Sequence, residues 1–133
     1  MNKLKGRITV IESTPNISIV DVEHKGDYFS ALMLETPGSS DYLRVGEPVM
    51  LIFKETEVSI AKDLSGLISL RNRIKSRIIK INSDKVLTCV VFDYKGEQVV
   101  SIITTRSALR LGLKEGDEAE WLVKANEISL MRG

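Results

Sequence analysis

From Asn16 to Glu23 apolar residues recur with a strand-like pattern, Ile17, Ile19 and Val20, Val22, and a similar run extends from Val86 to Asp93. Each run ends at a Lys-Gly pair, Lys25-Gly26 or Lys95-Gly96. Such alternation closed by a tight-turn pair predicts a β-hairpin. The returning strands are Tyr28 to Leu34 and Gln98 to Thr104. Before each hairpin lies a β-branched run, Arg7-Ile8-Thr9-Val10-Ile11 or Arg77-Ile78-Ile79-Lys80-Ile81, which predicts a first strand. Pro48 to Phe53 and Glu118 to Val123 predict a fourth strand, and Val58 to Ala61 and Ile128 to Met131 a short fifth. After the third strand, Ser107 to Leu111 reads as a short helix, with Ser107 as N-cap and Gly112 as terminator. The matching stretch, Pro37 to Leu43, is more turn-like.

The elements recur at a constant offset of 70 residues. Leu4-Lys5-Gly6-Arg7-Ile8 falls on Ile74-Lys75-Ser76-Arg77-Ile78, and Lys25-Gly26-Asp27 on Lys95-Gly96-Glu97. Leu43 to Glu47 falls on Leu113 to Asp117, Lys54 on Lys124, and Glu57-Val58-Ser59-Ile60 on Glu127-Ile128-Ser129-Leu130. No gap is needed, so the chain divides into two copies of one unit, 1–63 and 67–133, joined at Asp63-Leu64-Ser65-Gly66. Five short strands with a small helix after the third match a Greek-key barrel of the OB type. The expected fold is all-β: two tandem OB-like five-stranded barrels, each with a short helix. Units of this size bury little surface alone, which favours tandem packing and oligomerisation.

Composition narrows the chemistry. A single cysteine, Cys89, excludes an internal disulfide and a cysteine zinc cluster. A single histidine, His24, argues against a His-rich metal site or a catalytic triad. His24 reads as a surface turn residue, Cys89 as a buried small hydrophobe, and Trp121 as a core or interface residue. No carboxylate pair has a spacing suited to acid/base catalysis, and no phosphate-loop, dinucleotide or calcium-loop pattern is present. These observations point to a non-catalytic protein with no direct protein–metal ligands. The start, Met1 to Gly6, lacks the apolar core of a signal peptide, and no apolar run approaches membrane-spanning length. A cytoplasmic location without membrane association is the expectation.

Net charge is +1, but its distribution is uneven. Residues 1–66 carry 7 Lys+Arg against 10 Asp+Glu, a balance of −3; residues 67–133 carry 12 against 8, or +4. The densest basic stretch is Ser69 to Arg77. One reading is contact with a nucleic-acid backbone. Aromatic residues are only 5%, however, and single-strand binders of this fold use aromatic stacking. A second reading is a solvated basic edge that discourages aggregation. A third is a small-oxyanion pocket, for which Ser69, Arg71 and Asn72 supply a hydroxyl, a guanidinium and an amide, with Lys124 as a further cation.

The residues of the second unit resemble the molybdate-binding Mop, or molbindin, domain of the TOBE class. That family opens with Ser-Ala-Arg-Asn-Gln-Leu-Lys-Gly, and this chain has Ser69-Leu70-Arg71-Asn72-Arg73-Ile74-Lys75-Ser76. Its middle resembles Ser101 to Gly116, and its Ile-Lys-Ala-Ser-Asp-Val ending resembles Val123-Lys124-Ala125-Asn126-Glu127-Ile128. The resemblance implies a tandem di-Mop protein that assembles as a trimer. It implies molybdate or tungstate bound as the intact oxyanion, for storage or homeostasis or, alternatively, for sensing through another protein. The implied ligands are Ser69, Arg71, Asn72, Lys124 and Ala125, with Lys54 as the first unit's counterpart of Lys124. The first unit departs from the pattern: only Asn2 matches Asn72, nothing matches Ser69 or Arg71, and Glu55 stands at the position of Ala125.

Overall fold

The computed structural model describes residues 1–133. In chain order the strands are β1 (Asn2–Ser13), β2 (Ser18–His24), β3 (Asp27–Met33), β4 (Pro48–Phe53), β5 (Ser59–Ala61), β6 (Asn72–Ser83), β7 (Leu87–Tyr94), β8 (Glu97–Thr104), β9 (Glu118–Val123) and β10 (Ser129–Arg132). One α-helix, α1 (Thr105–Leu111), follows β8, and single 3-10 turns at Glu55–Glu57 and Ala125–Glu127 precede β5 and β10.

The first five-stranded sheet has the order β10-β4-β1-β2-β3, and the second β5-β9-β6-β7-β8. Each sheet takes its short last strand from the other half of the sequence. β10 pairs antiparallel with β4, Leu130 facing Leu51, and β5 pairs with β9, Ile60 facing Trp121. The repeats 1–63 and 67–133 therefore differ from the packed units, which are Lys3–Phe53 with Lys124–Gly133, and Lys54–Val123 with Asn2. Residue pattern alone does not separate contiguous from exchanged pairing. Val58-Ser59-Ile60 and Ile128-Ser129-Leu130 present equivalent side chains to either sheet.

Within each sheet the hairpins follow the expected chemistry. Lys25-Gly26 has φ of 48° and 88°, and Lys95-Gly96 has 50° and 87°, the paired positive values of a two-residue turn that glycine eases. Glu23 and Asp93 cap these turns by accepting from the glycine N–H groups. The first strands run longer than their β-branched cores suggested, and each shifts register at the same repeat position, Ile8/Val10 and Ile78/Lys80. Such bulges increase local bend and twist, which helps a sheet curl. In the second unit, curling brings the buried Ser101 hydroxyl to donate to the Val58 carbonyl at 2.6 Å.

Four local expectations are corrected. His24 is buried at 4% exposure, with Nδ1 hydrogen-bonded to the Lys5 carbonyl oxygen, because Val20, Val22 and His24 share the inward face of β2. Cys89 is half-buried, because the inward positions of β7 are Thr88, Val90, Phe92 and Tyr94. The helix begins earlier than expected: Thr104 is the N-cap and accepts from the Ser107 N–H, while Gly112 closes it in the left-handed conformation. The first repeat has no helix at this place. Its segment makes turns instead, with the Ser39 and Ser40 N–H groups donating to the Thr36 carbonyl. Pro37 and Gly38 disfavour a continuous helix there.

Trp121 is fully buried, as a core residue. Its Nε1–H donates to the Ser76 hydroxyl at 3.0 Å, and Tyr94 meets it edge-on with centroids 5.4 Å apart. The first repeat has Leu51, Gly6 and His24 at these positions. Gly6 accommodates a close strand approach, since a Cβ there would lie 2.4 Å from the Glu23 carbonyl oxygen.

Candidate functional site

Asn72 opens β6 and faces Val123, the last residue of β9. Its side chain is 1% exposed, and its amide donates to the Val123 carbonyl at 3.0 Å. A buried side-chain bond to a buried strand end fixes both backbones at that rung. Arg71 is the residue immediately before this rung along β6, and Lys124 the residue immediately after it along β9. Ser69 and Arg71 are exposed. Lys124 is exposed and caps the 3-10 turn at Ala125–Glu127 with extended dihedrals, φ −71° and ψ 143°. Ala125 is half-buried. Ser69, Arg71, Asn72 and Lys124 can all donate hydrogen bonds, and two are permanent cations at neutral pH.

Lys54 occupies the same local setting one repeat earlier. It is exposed and caps Glu55–Glu57 with φ −76° and ψ 147°. The surroundings differ. The Lys54 N–H donates to a Glu57 carboxylate oxygen at 3.3 Å, and Glu55 follows where Ala125 follows Lys124. Asn2 does not repeat the bond made by Asn72. Its amide nitrogen donates to the Val100 carbonyl at 2.8 Å, and its amide oxygen accepts from the Val100 N–H at 2.8 Å. Asn2 thus acts as an extra backbone rung on the edge strand β8.

The basic stretch is largely compensated by its neighbours. Arg73 makes a forked pair with Glu120, Nε to Oε2 at 2.8 Å and a terminal nitrogen to Oε1 at 2.9 Å. Hydrogen bonding to Arg73 holds the Glu120 carboxyl below the usual carboxylate range despite some desolvation. Lys75 faces Glu120 in register, and Arg77 lies between Glu118 and Asp93. Lys62 donates to Asp117 at 3.2 Å and to the Gly112 carbonyl at 3.1 Å. Hydrogen bonds from Lys62 and from the Lys114 N–H hold the Asp117 carboxyl low. The strand from Arg73 to Arg77 is therefore one side of a charge ladder, which does not favour a phosphate-tracking groove.

Sequence reading missed two parts of this arrangement. The Arg73–Glu120 ladder carries a signal, since alternate cations on β6 meet alternate carboxylates on β9. The engagement of Asn2 by Val100 carries none, because it spans 98 residues. No group of three His, Cys, Asp or Glu side chains is placed to hold a metal ion, and no helix is long and apolar enough to cross a membrane.

The TOBE domain description matches residues 68–130. Molybdenum-pterin-binding proteins 3 and 2 of Clostridium pasteurianum are each 32% identical over 65 residues, covering 48% of this chain and 96% of theirs. Among solved structures, the cytoplasmic molybdate-binding protein ModG, in a molybdate-bound form, is similar over 99% of this chain and 96% of its own. That similarity has a TM-score of 0.92 at 27% identity.

Proposed function

This chain belongs to the Mop family of TOBE-domain proteins, and from that premise we propose that it is a non-catalytic binder of molybdate or tungstate for storage or homeostasis in the cytoplasm. The anion is held intact. The observation that supports this reading is the buried Asn72–Val123 rung, with the donors Ser69 and Arg71 shortly before Asn72 in sequence and Lys124 next after Val123. A tetrahedral dianion presents only acceptor oxygens, so it requires donors on every side. Arg71 and Lys124 offset its two charges, and charge-assisted hydrogen bonds of this kind are about twice as strong as neutral ones. The Ser69 hydroxyl and the N–H of Ala125 are the neutral donors. The Asn72 amide gives one N–H to Val123, so its contribution is chiefly to fix the rung from which its neighbours extend.

The reading includes assembly, with a trimer as the working state. Its support is an apolar linker beside the opening motif: Leu67 is 106% exposed, and Leu64 and Ile68 are exposed as well. A neighbouring copy covering this segment would remove apolar surface from water next to Ser69 and Arg71 and help dehydrate the anion. Equilibrium dialysis against molybdate, with bound molybdenum counted after exchange, tests the function. Retention that excess tungstate competes away, and excess phosphate does not, is expected. No retention at micromolar protein contradicts the reading.

A further inference from the structure

We infer that the second repeat carries a docking surface for an acidic segment of a partner protein with apolar residues interspersed, formed by Lys85, Val86, Arg106, Leu109 and Arg110. All five residues belong to the unit Lys54–Val123. Lys85 and Val86 follow the end of β6 remote from Asn72, so within the chain this surface is distinct from the Asn72–Val123 rung.

The backbone holds these residues together. The Asp84 carboxylate accepts from the Val86 and Leu87 N–H groups, each at 2.8 Å, which fixes the turn between β6 and β7. The Thr105 N–H donates to the Val86 carbonyl at 2.8 Å, and the Thr105 hydroxyl donates to the Asp84 carbonyl at 2.9 Å. The start of α1 is thereby tied to that turn, and Lys85, Val86, Thr104 and Arg106 line one cavity of about 320 Å³. Along α1, Arg106, Leu109 and Arg110 stand at i, i+3 and i+4, so they share a face, while Ala108 is the buried residue of the helix.

The charge on this surface is uncompensated within the chain. α1 contains no carboxylate, and Lys85, Arg106 and Arg110 make no ion pair or side-chain hydrogen bond. Asp84, the carboxylate next to Lys85, is committed to backbone N–H groups. Apolar groups lie beside the cations: Leu109 is 77% exposed and Val86 66%. The fold does not require this cluster, since the first repeat has Pro15, Asn16, Thr36, Ser39 and Ser40 at the same five positions, none of them charged. Three cations select a polyanionic partner and repel basic ones. Burying Leu109 and Val86 rewards apolar side chains, which a protein segment supplies and a phosphate backbone does not. None of the five residues offers an aromatic ring for base stacking, which also disfavours single-stranded nucleic acid.

The test titrates the intact protein into a fluorescent peptide of alternating glutamate and leucine and follows anisotropy. The peptide should bind, and its glutamine–leucine counterpart should not. Arg106→Glu combined with Arg110→Glu should weaken binding at least about tenfold through like-charge repulsion. Leu109→Ser keeps every charge and installs the first repeat's residue, and it should also weaken binding, by a smaller factor. Lys3→Glu, at an exposed cation outside this surface, should leave affinity unchanged. All variants should melt with the parent, because the substituted side chains are exposed. The inference is overturned if the acidic peptide does not bind, if Lys3→Glu costs as much as the arginine pair, or if Leu109→Ser has no effect. Arg106-dependent binding of an oligothymidylate or of phosphatidylserine vesicles that is tighter than that of the peptide would overturn it in favour of nucleic acid or membrane.

Discussion

Replacing Asn72 by alanine should lower both stability and anion affinity, whereas replacing Asn2 should lower stability alone. Asn72 is 1% exposed and donates to the Val123 carbonyl at 3.0 Å. The alanine variant leaves that carbonyl without its partner, and an unsatisfied buried polar group costs about 1–3 kcal/mol. For a chain of this length, about 3–5 °C of melting temperature corresponds to each kcal/mol, so a fall of about 3–15 °C is expected. The same change frees the rung that anchors Arg71 and Lys124, so molybdate affinity should fall with it. Asn2→Ala removes two 2.8 Å bonds to Val100 and should produce a thermal loss of similar size. Its molybdate affinity should match the parent, because Asn2 pairs with a strand edge and not with the Lys124 rung. Scanning calorimetry and molybdate titration of both variants provide the comparison. An unchanged melting temperature for Asn72→Ala would refute the structural argument. An equal affinity loss in Asn2→Ala would refute the division of roles.

Lys124→Ala should weaken molybdate binding far more than Lys54→Ala, by tens to thousands of fold where assembly buries the bound anion against this exposed lysine, since losing one partner of a buried charge pair costs about 2–5 kcal/mol. Equal losses in titration would show that both repeats feed equivalent sites. Acid should destabilise the fold through Glu120 and Asp117, whose folded carboxyls titrate below their ordinary values. Their contribution is present above the unfolded values, about 4.3 for Glu and about 3.9 for Asp, and is lost as pH falls through the depressed folded values. Glu120→Gln should flatten part of this acid decline in melting temperature, and an unaltered decline would contradict the role of the Arg73 pair. Light scattering at micromolar concentration should give the mass of a trimer, and a monodisperse monomer would contradict the assembly.

The strands and hairpins were legible because alternation and Lys-Gly turns are local, and the offset of 70 residues transferred each assignment to its copy. The strand exchange was not legible, since β5 and β10 carry closely similar residues, Val58-Ser59-Ile60 and Ile128-Ser129-Leu130 at their starts. His24 was misread because its place beside a turn suggested exposure, whereas the period of β2 points it inward with Val20 and Val22. Cys89 shows the converse: an apolar neighbourhood in sequence, but an outward position in the pleat. Of the candidate ligands, Asn72 proves to be buried beside Val123, next in sequence to Lys124. Ser69, Arg71 and Lys124 are exposed donors, which we propose as anion ligands from their chemistry. The basic appearance of Ser69 to Arg77 was only half of a pattern, because the compensating Glu118 and Glu120 lie more than forty residues away.

The central claim is selective binding of a tetrahedral metal oxyanion by a site built on Arg71, Asn72 and Lys124. Isothermal titration of the protein with molybdate, tungstate, sulfate and phosphate under identical buffer conditions tests it most directly. Saturable heat with molybdate and tungstate, and none with phosphate at the same concentrations, is the predicted result. Equal heats for all four anions, or none for molybdate, would contradict it.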